Sequence, residues 1–342
     1  MKLLITGGAG FIGSNFIHYI LRKYPHYDVI NFDKLTYAGN LDNLKEVENH
    51  PNYTFIKGDI CNTELVEHII REKKVNIIVH FAAESHVDRS VLAPEDFIQT
   101  NILGTYSLLE VARKYNIRFH HISTDEVFGD LHLEDHDRFD EKTAYKPSSP
   151  YSAAKASSDH LVRAYHHTFG LPITISNCSN NYGPYQFPEK VIPLFITNLI
   201  QGKKVPLYGD GKNVRDWIHV DDHNAGVDAI IHNGKIGQTY CLGGDSEKSN
   251  YELTMTILEK MGMTKEMIEY VKDRPGHDRR YAINANKAKA ELGWKPQISF
   301  EKGISQTIDW YKNNENWWKR VQSGEYQKQE VEKTEKKDEF II

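Results

Sequence analysis

The chain is poor in cysteine, has no long apolar run and shows no excess of charge of one sign. Cys61, Cys178 and Cys241 are odd in number, far apart and without C-x-x-C spacing, which argues against both a disulfide framework and a zinc site. No stretch approaches the roughly 20 apolar residues of a membrane-spanning helix. The apolar residues Leu3, Leu4 and Ile5 give way at once to Thr6-Gly7-Gly8, too soon for the hydrophobic core of a signal peptide, so a cytoplasmic protein with reduced thiols is expected. The 47 acidic and 42 basic residues are spread along the whole length and leave a formal charge of -5. That balance offers no electrostatic footprint for nucleic acid or an anionic membrane, and a small soluble molecule is the expected partner.

What is present is enough chain, 342 residues, to bury a large core in one big domain or two closely joined ones. Short β-rich apolar runs at 2–6, 29–33, 54–59, 77–82, 119–124 and 173–177 alternate with amphipathic stretches long enough for crossover helices. This is the pattern of an α/β, Rossmann-like doubly wound parallel sheet. Residues 97–115 read as a largely buried helix and 150–165 as another. Past residue 180 the alternation degrades, with turn signals at Tyr182-Gly183-Pro184 and Gly209-Asp210-Gly211 between helical pieces near 191–201 and 251–261. The expected division is a dinucleotide-binding domain over 1–180, rejoined by about 214–242, a smaller mixed α/β substrate domain over most of 181–322, and a charged peripheral tail over 323–342.

The run TGGAGFIGS, Thr6 to Ser14, follows the first strand and opens a helix, satisfying G-x-G-x-x-G through Gly8, Gly10 and Gly13. Glycines permit a tight turn and close approach of backbone to a pyrophosphate, and the helix N-terminus offers unpaired N–H groups. Asp33 ends the second strand 20 residues beyond Gly13, where its carboxylate can accept from ribose hydroxyls and would repel a 2'-phosphate. NAD is therefore preferred over NADP, with Lys34 beside Asp33 as the opposing signal.

Tyr151 and Lys155, in YSAAK, stand one helical turn apart on one face. A phenol is too weak an acid to serve as a base near neutrality, but an adjacent ammonium and a positive nicotinamide stabilise its phenolate. Some 25 residues upstream, HISTDEVFGD carries the adjacent carboxyls Asp125 and Glu126. Simple alcohol oxidation needs neither, whereas elimination of water needs both an acid and a base. Adjacent strand residues point to opposite faces, so the strand must end or bend at Asp125 if both are to reach one substrate.

TGGAGFIG, FAAESHVDRS, STDEVFGD, YSAAK, CSNNYGPYQFPEK, VRDWIHVDDH and DRPGHDRRYAI together resemble the extended short-chain dehydrogenase/reductase family, and within it the nucleotide-sugar 4,6-dehydratases. The resemblance runs from Met1 to about Trp318. It implies dTDP-glucose as substrate, NAD as a cofactor regenerated at each turnover, no metal, a homodimer, and a setting such as dTDP-rhamnose synthesis. Thr124, Asp125, Glu126, Tyr151 and Lys155 would then be catalytic. Gly7, Gly10, Phe11, Ile12, Gly13, Asp33, Asp59, Ile60, Ala82, Ala83, Thr100 and Asn181 would meet the cofactor, with Tyr151 and Lys155. Ser85, Thr124, Asn180, Lys190, Val191, Pro206, Leu207, Tyr208, Arg215, Asn250, Arg274 and His277 would meet the sugar nucleotide, with His86 near the sugar or diphosphate but without a proton-transfer role. A UDP-glucose dehydratase, a 4-epimerase and a non-catalytic NAD-binding protein on the same fold remain the alternatives; the last two would leave the acidic pair without a task.

Overall fold

The computed structural model describes residues 1–273 and 277–327. Its first half runs β1 (Lys2–Thr6), α1 (Phe11–Lys23), β2 (Asp28–Asp33), β3 (Tyr53–Lys57), α2 (Thr63–Lys73), β4 (Ile77–His80), α3 (Val87–Leu92), α4 (Pro94–Phe97), α5 (Thr105–Tyr115), β5 (Arg118–Thr124), α6 (Pro150–Phe169) and β6 (Ile173–Cys178). The second half follows with β7 (Asn180–Tyr182), α7 (Val191–Ile200), β8 (Val205–Tyr208), β9 (Val214–His219), α8 (Val220–Asn233), β10 (Thr239–Leu242), β11 (Glu247–Ser249), α9 (Asn250–Lys260), β12 (Ile268–Val271), α10 (Asn286–Leu292), α11 (Phe300–Asn313) and α12 (Glu315–Ser323).

Strands covered by helices on both faces bury apolar side chains on both, as β1 and β2 do, while β5 and β6 also bury His120, His121, Thr174, Ser176 and Asn177. Leu3, Ile5 and Val29 pack with Phe16, Ile17 and Ile20 of α1 and Val227 and Ile230 of α8. Leu4, Ile30, Phe32 and Ile78 pack on the other side with Ile69 of α2 and Leu108 and Leu109 of α5. Each such Leu or Ile taken fully from water contributes roughly 1.5–3 kcal/mol. The seven strands lie in the order β10-β6-β5-β4-β1-β2-β3, all parallel. The chain reverses its direction across the sheet between β1 and β4, and the carboxyl ends of all seven strands share one edge.

The stretch expected to rejoin this sheet divides. β9 pairs with β7 and β11 in a separate three-stranded sheet, whereas β10 extends the main sheet beside β6. Arg215 and Asp216 of β9 are buried but paired, Arg215 with the Val214 and Asp278 carbonyls and Asp216 with the Gly244 and Ser246 amides, whereas Tyr240, Cys241 and Leu242 of β10 are apolar and fully buried. A third core joins α7, α9, α11 and α12 through Ile192, Phe195, Leu253, Ile257, Ile304, Tyr311 and Trp318.

The segment read as one helix over 97–115 comprises the end of α4, a π-helical turn at Ile98–Gly104, and α5. Gly104 admits Ile60, whose side chain would lie 2.4 Å from a Cβ there. Only one face is buried: Ile98, Leu103 and Tyr106 stay about half exposed. Helix α6 begins where its sequence dictates. Ser149 accepts from the Ser152 amide at 3.1 Å, Ser152 accepts from the Ser149 amide at 2.9 Å, and Pro150 takes the first position, a cap of about 1 kcal/mol. Tyr151 is thereby fixed in the first turn. Of the expected charged tail, 328–342 lies outside the described residues.

Candidate active site

One cleft follows the carboxyl edge of the sheet, lined by what comes at or just after the ends of β1 to β6: Gly7, Asp33, Asp59, Ala82, Thr124 and Ser179. The turn after β1 is made at Gly7, in the left-handed region at φ +70, rather than at Gly8. A Cβ at Gly7 would lie 2.5 Å from the Ala82 amide nitrogen, and one at Gly13 2.3 Å from the Gly7 carbonyl. Only glycine lets these three backbone segments meet and leaves the start of α1 bare toward the cleft. Gly10, Phe11, Ile12 and Gly13 line it beside Gly7. Asp33 accepts from the Ala9 amide at 2.9 Å and the Leu35 amide at 2.8 Å. Burial pushes its carboxyl up, and those two amides pull it part of the way back. Lys34, the residue that weakened the preference for a free ribose hydroxyl, turns away to Asp59 at 2.7 Å. Burial raises Asp59, but Lys34 and the Cys61 amide outweigh it, so the carboxyl titrates below its usual range.

At the centre of the edge, β5 ends at Thr124 and the chain turns at once into a 3-10 helix, Asp125–Phe128. This is the bend that the acidic pair requires, and it brings Asp125 and Glu126 to the same cleft. The Thr124 hydroxyl accepts from the Glu126 amide and donates to Asp125 Oδ1, both at 3.3 Å. Asp125 is 1% exposed, and its Oδ2 has no hydrogen-bond partner among the described residues. Burial first, then Glu126 and Asp216, push its carboxyl well above the ordinary range. Lys155 Nζ donates to the Ile122 carbonyl at 2.7 Å, and burial lowers its pKa. Burial and then Glu126 push the Tyr151 hydroxyl well up, so its deprotonation calls for positive charge beside it. Asn180 Oδ1 and Asn181 Oδ1 are buried in the cleft wall without hydrogen-bond partners among the described residues. Glycine turn, bare helix start, an acid at the end of the second strand and orphaned polar atoms together fit a dinucleotide with a second polar ligand beside it.

A family model described as GDP-mannose 4,6 dehydratase matches residues 4–307. A dTDP-glucose 4,6-dehydratase of Salmonella typhimurium is 52% identical over 351 residues, covering 96% of this chain and 97% of the relative. The chain belongs to the nucleotide-sugar 4,6-dehydratases of the extended short-chain dehydrogenase/reductase family. Among solved structures, the dTDP-glucose 4,6-dehydratase of Bacillus anthracis in complex with NAD is 52% identical with a TM-score of 0.89, covering 94% of this chain and 99% of that one. That of Streptomyces venezuelae, also with NAD bound, is 47% identical with a TM-score of 0.91, covering 94% and 100%.

In this member of the family the cleft also gathers Ile60, Ala83, Ser85, Thr100, Tyr151, Lys155, Asn180, Asn181 and Lys190. Lys190 Nζ donates to the Ser85 carbonyl at 3.0 Å. His86 faces Glu189 at 3.7 Å and is not part of the lining. Other expected contacts lie outside the cleft. Arg215 donates to the carbonyls of Val214 at 2.8 Å and Asp278 at 3.0 Å, with its guanidinium 4.2 Å over the Tyr281 ring. His277 is bonded to Asp273 at 2.7 Å. Leu207 is buried in the small-domain core, with Val191 packed against it. Pro206 and Tyr208 are in β8, and Asn250 opens α9 with its amide on the Asn213 carbonyl. Arg274 lies outside the described residues. The sequence reading passed over Thr36, Tyr37, Asn40 and Asn43, in the loop after β2, and over Tyr185, Gln186 and Trp317, all of which line the cleft. Position after a strand end could have pointed to the loop; nothing local marks Trp317.

Proposed function

We propose that the protein converts dTDP-glucose to dTDP-4-keto-6-deoxyglucose and water, with NAD regenerated at each turnover. Gly7, Gly13 and the start of α1 would hold the pyrophosphate, and Asp33 the adenosine ribose. The chemistry that bound NAD supplies is a hydride acceptor toward C4 and a hydride donor toward C6. Tyr151 takes the proton of the 4-hydroxyl, with Lys155 and the oxidised nicotinamide providing the positive charge its phenolate needs and Thr124 orienting the oxygen. The 4-ketone acidifies the C5 hydrogen, which Glu126 removes. Asp125 donates its proton to the C6 hydroxyl as water leaves, and a proton returned to C5 completes the product.

The observation that carries this reading is the 3-10 turn after β5, which sets two carboxyls beside Thr124 and Tyr151 and buries Asp125, where burial and Glu126 push its carboxyl well above the ordinary range. An epimerase needs Tyr151 and NAD but no such pair. The test is to incubate the full chain with dTDP-glucose, and separately UDP-glucose, without reductant, and to follow product mass. Loss of one water from the dTDP sugar alone is expected; loss from the UDP sugar would reassign the base, an isomer of unchanged mass would move the assignment to epimerase, and no product at all would sink it.

By the same reading, residues 1–180 with 220–242 form the NAD domain and most of 181–322 covers the sugar nucleotide. The setting is cytoplasmic deoxysugar synthesis, of which the dTDP-rhamnose route is one instance. The apolar side chains of Val91, Leu92, Ile98, Leu103 and Tyr106, exposed along α3 to α5, support a homodimer formed through this face.

A further inference from the structure

Helix α12 and the residues just after it return to the N-terminal part of the chain. Three side chains just past the small-domain core reach the loop at 36–43 that follows β2 and walls the cleft. Trp317 Nε1 donates to Asn43 Oδ1 at 2.9 Å, Arg320 pairs with Asp42 at 2.8 Å, and the Tyr326 hydroxyl donates to the Tyr37 carbonyl. Asn43 is a junction. Its Nδ2 donates to the Ala9 carbonyl at 3.0 Å, inside the glycine turn, and its own carbonyl is bonded to His18 Nε2 of α1 at 2.7 Å. The Ala9 amide in turn donates to Asp33. A chain of hydrogen bonds therefore runs from Trp317 through Asn43 and Ala9 to Asp33. Tyr185, held at φ +65, closes the gap: its ring lies edge-on to Trp310 at 4.7 Å and Trp317 at 5.8 Å and stacks on His18 at 5.9 Å.

None of these residues has a task in the elimination. The loop they hold contains no strand and only a short 3-10 turn, Leu41–Leu44, so it has little backbone pairing of its own to set its shape. A loop left to order itself when ligand arrives subtracts that ordering from the affinity, whereas one already held does not.

We propose that α12 and the residues just after it are a strap that pre-forms the cofactor loop, with Trp317, Arg320 and Tyr326 as positioning residues that slow NAD release. The proposal rests on the NAD reading above and deepens it. The strap ties cofactor retention to docking of the small domain, since α12 holds the loop that partners the first turn.

The test uses the full chain and NADH, followed by its fluorescence, in Trp317→Phe, Arg320→Ala, Tyr326→Phe and the triple variant. Each single change is expected to raise the NADH dissociation rate by on the order of fivefold, and the triple by some tens of fold. Added NAD should restore the turnover that each variant loses. Arg320 lies outside the cleft and its removal leaves the aromatic cluster intact, so a folding defect at Trp317 would not obscure the result. A triple variant that melts earlier but releases NADH at the wild-type rate would overturn the strap, leaving α12 a purely structural element. A wild-type chain that binds no NADH would overturn the cofactor reading and the strap with it.

Discussion

The main sheet and the small domain treat strand ends differently. β1, β2, β4, β5 and β6 each place the last residue, or one just after it, on a single edge, so Gly7, Asp33, Ala82, Thr124 and Ser179 converge although they are far apart in sequence. β8 and β9 belong to two separate small sheets, one of them mixed in direction, and have no common edge to share. Leu207 goes into the local core, and Arg215 into a cage of carbonyls and a tyrosine ring. A residue's distance from the end of a parallel strand is thus a better guide to its place than its chemical type.

The sharpest contrast lies between the acid pair and Arg215. Glu126→Gln should lower kcat by about 10²–10⁴ with NADH binding unchanged, measured by mass-resolved turnover. Asp125→Asn should be comparably inactive and yet melt higher than wild type. An Asp whose folded pKa is raised contributes stability that is fully present below its unfolded value, about 4, and lost as pH rises toward the folded one. The gain in melting temperature should therefore grow as pH rises from about 4 toward the raised folded value. A variant that tracks wild type across that window would show that Asp125 carries no suppressed charge.

Gly7→Ala and Gly211→Ala place the comparison on the backbone. Both positions are left-handed at φ +70, but an added Cβ meets the Ala82 backbone at 2.5 Å in the first and the end of the Leu207 side chain at 3.0 Å in the second. Gly211→Ala should cost about 1 kcal/mol of stability and leave NADH affinity alone. Gly7→Ala should cost more, about 1–3 kcal/mol, and abolish tight NADH binding, read by fluorescence titration. Equal effects on NADH would remove the distinction between the two regions.

The sequence disclosed the sheet because its strands carry apolar residues on both faces, and their limits held to within two residues. It also required the bend at Asp125, since two neighbours cannot otherwise face one cleft. It could not disclose that β10 rather than β9 extends the sheet, because this depends on which partner edges are left open once the two cores dock. Nor could it disclose Trp317, which reaches Asn43 across 274 positions. Contacts of that kind are fixed by how two cores dock, and no periodicity records them.

The smallest effect expected is at Tyr208, the end of β8, whose side chain is 40% exposed. If the small domain supplies an aromatic face to the nucleobase, Tyr208→Ala removes binding shared equally by ground and transition states. KM for dTDP-glucose should then rise a fewfold, by about 1 kcal/mol of lost stacking at most, while kcat holds. A leucine at the same place would keep the apolar area without the ring and should fall between the two. Should KM not move in either variant, the nucleobase takes its contacts from a segment that no strand end marks, and the carboxyl edge of the parallel sheet would be the one part of the site readable from motif and position together.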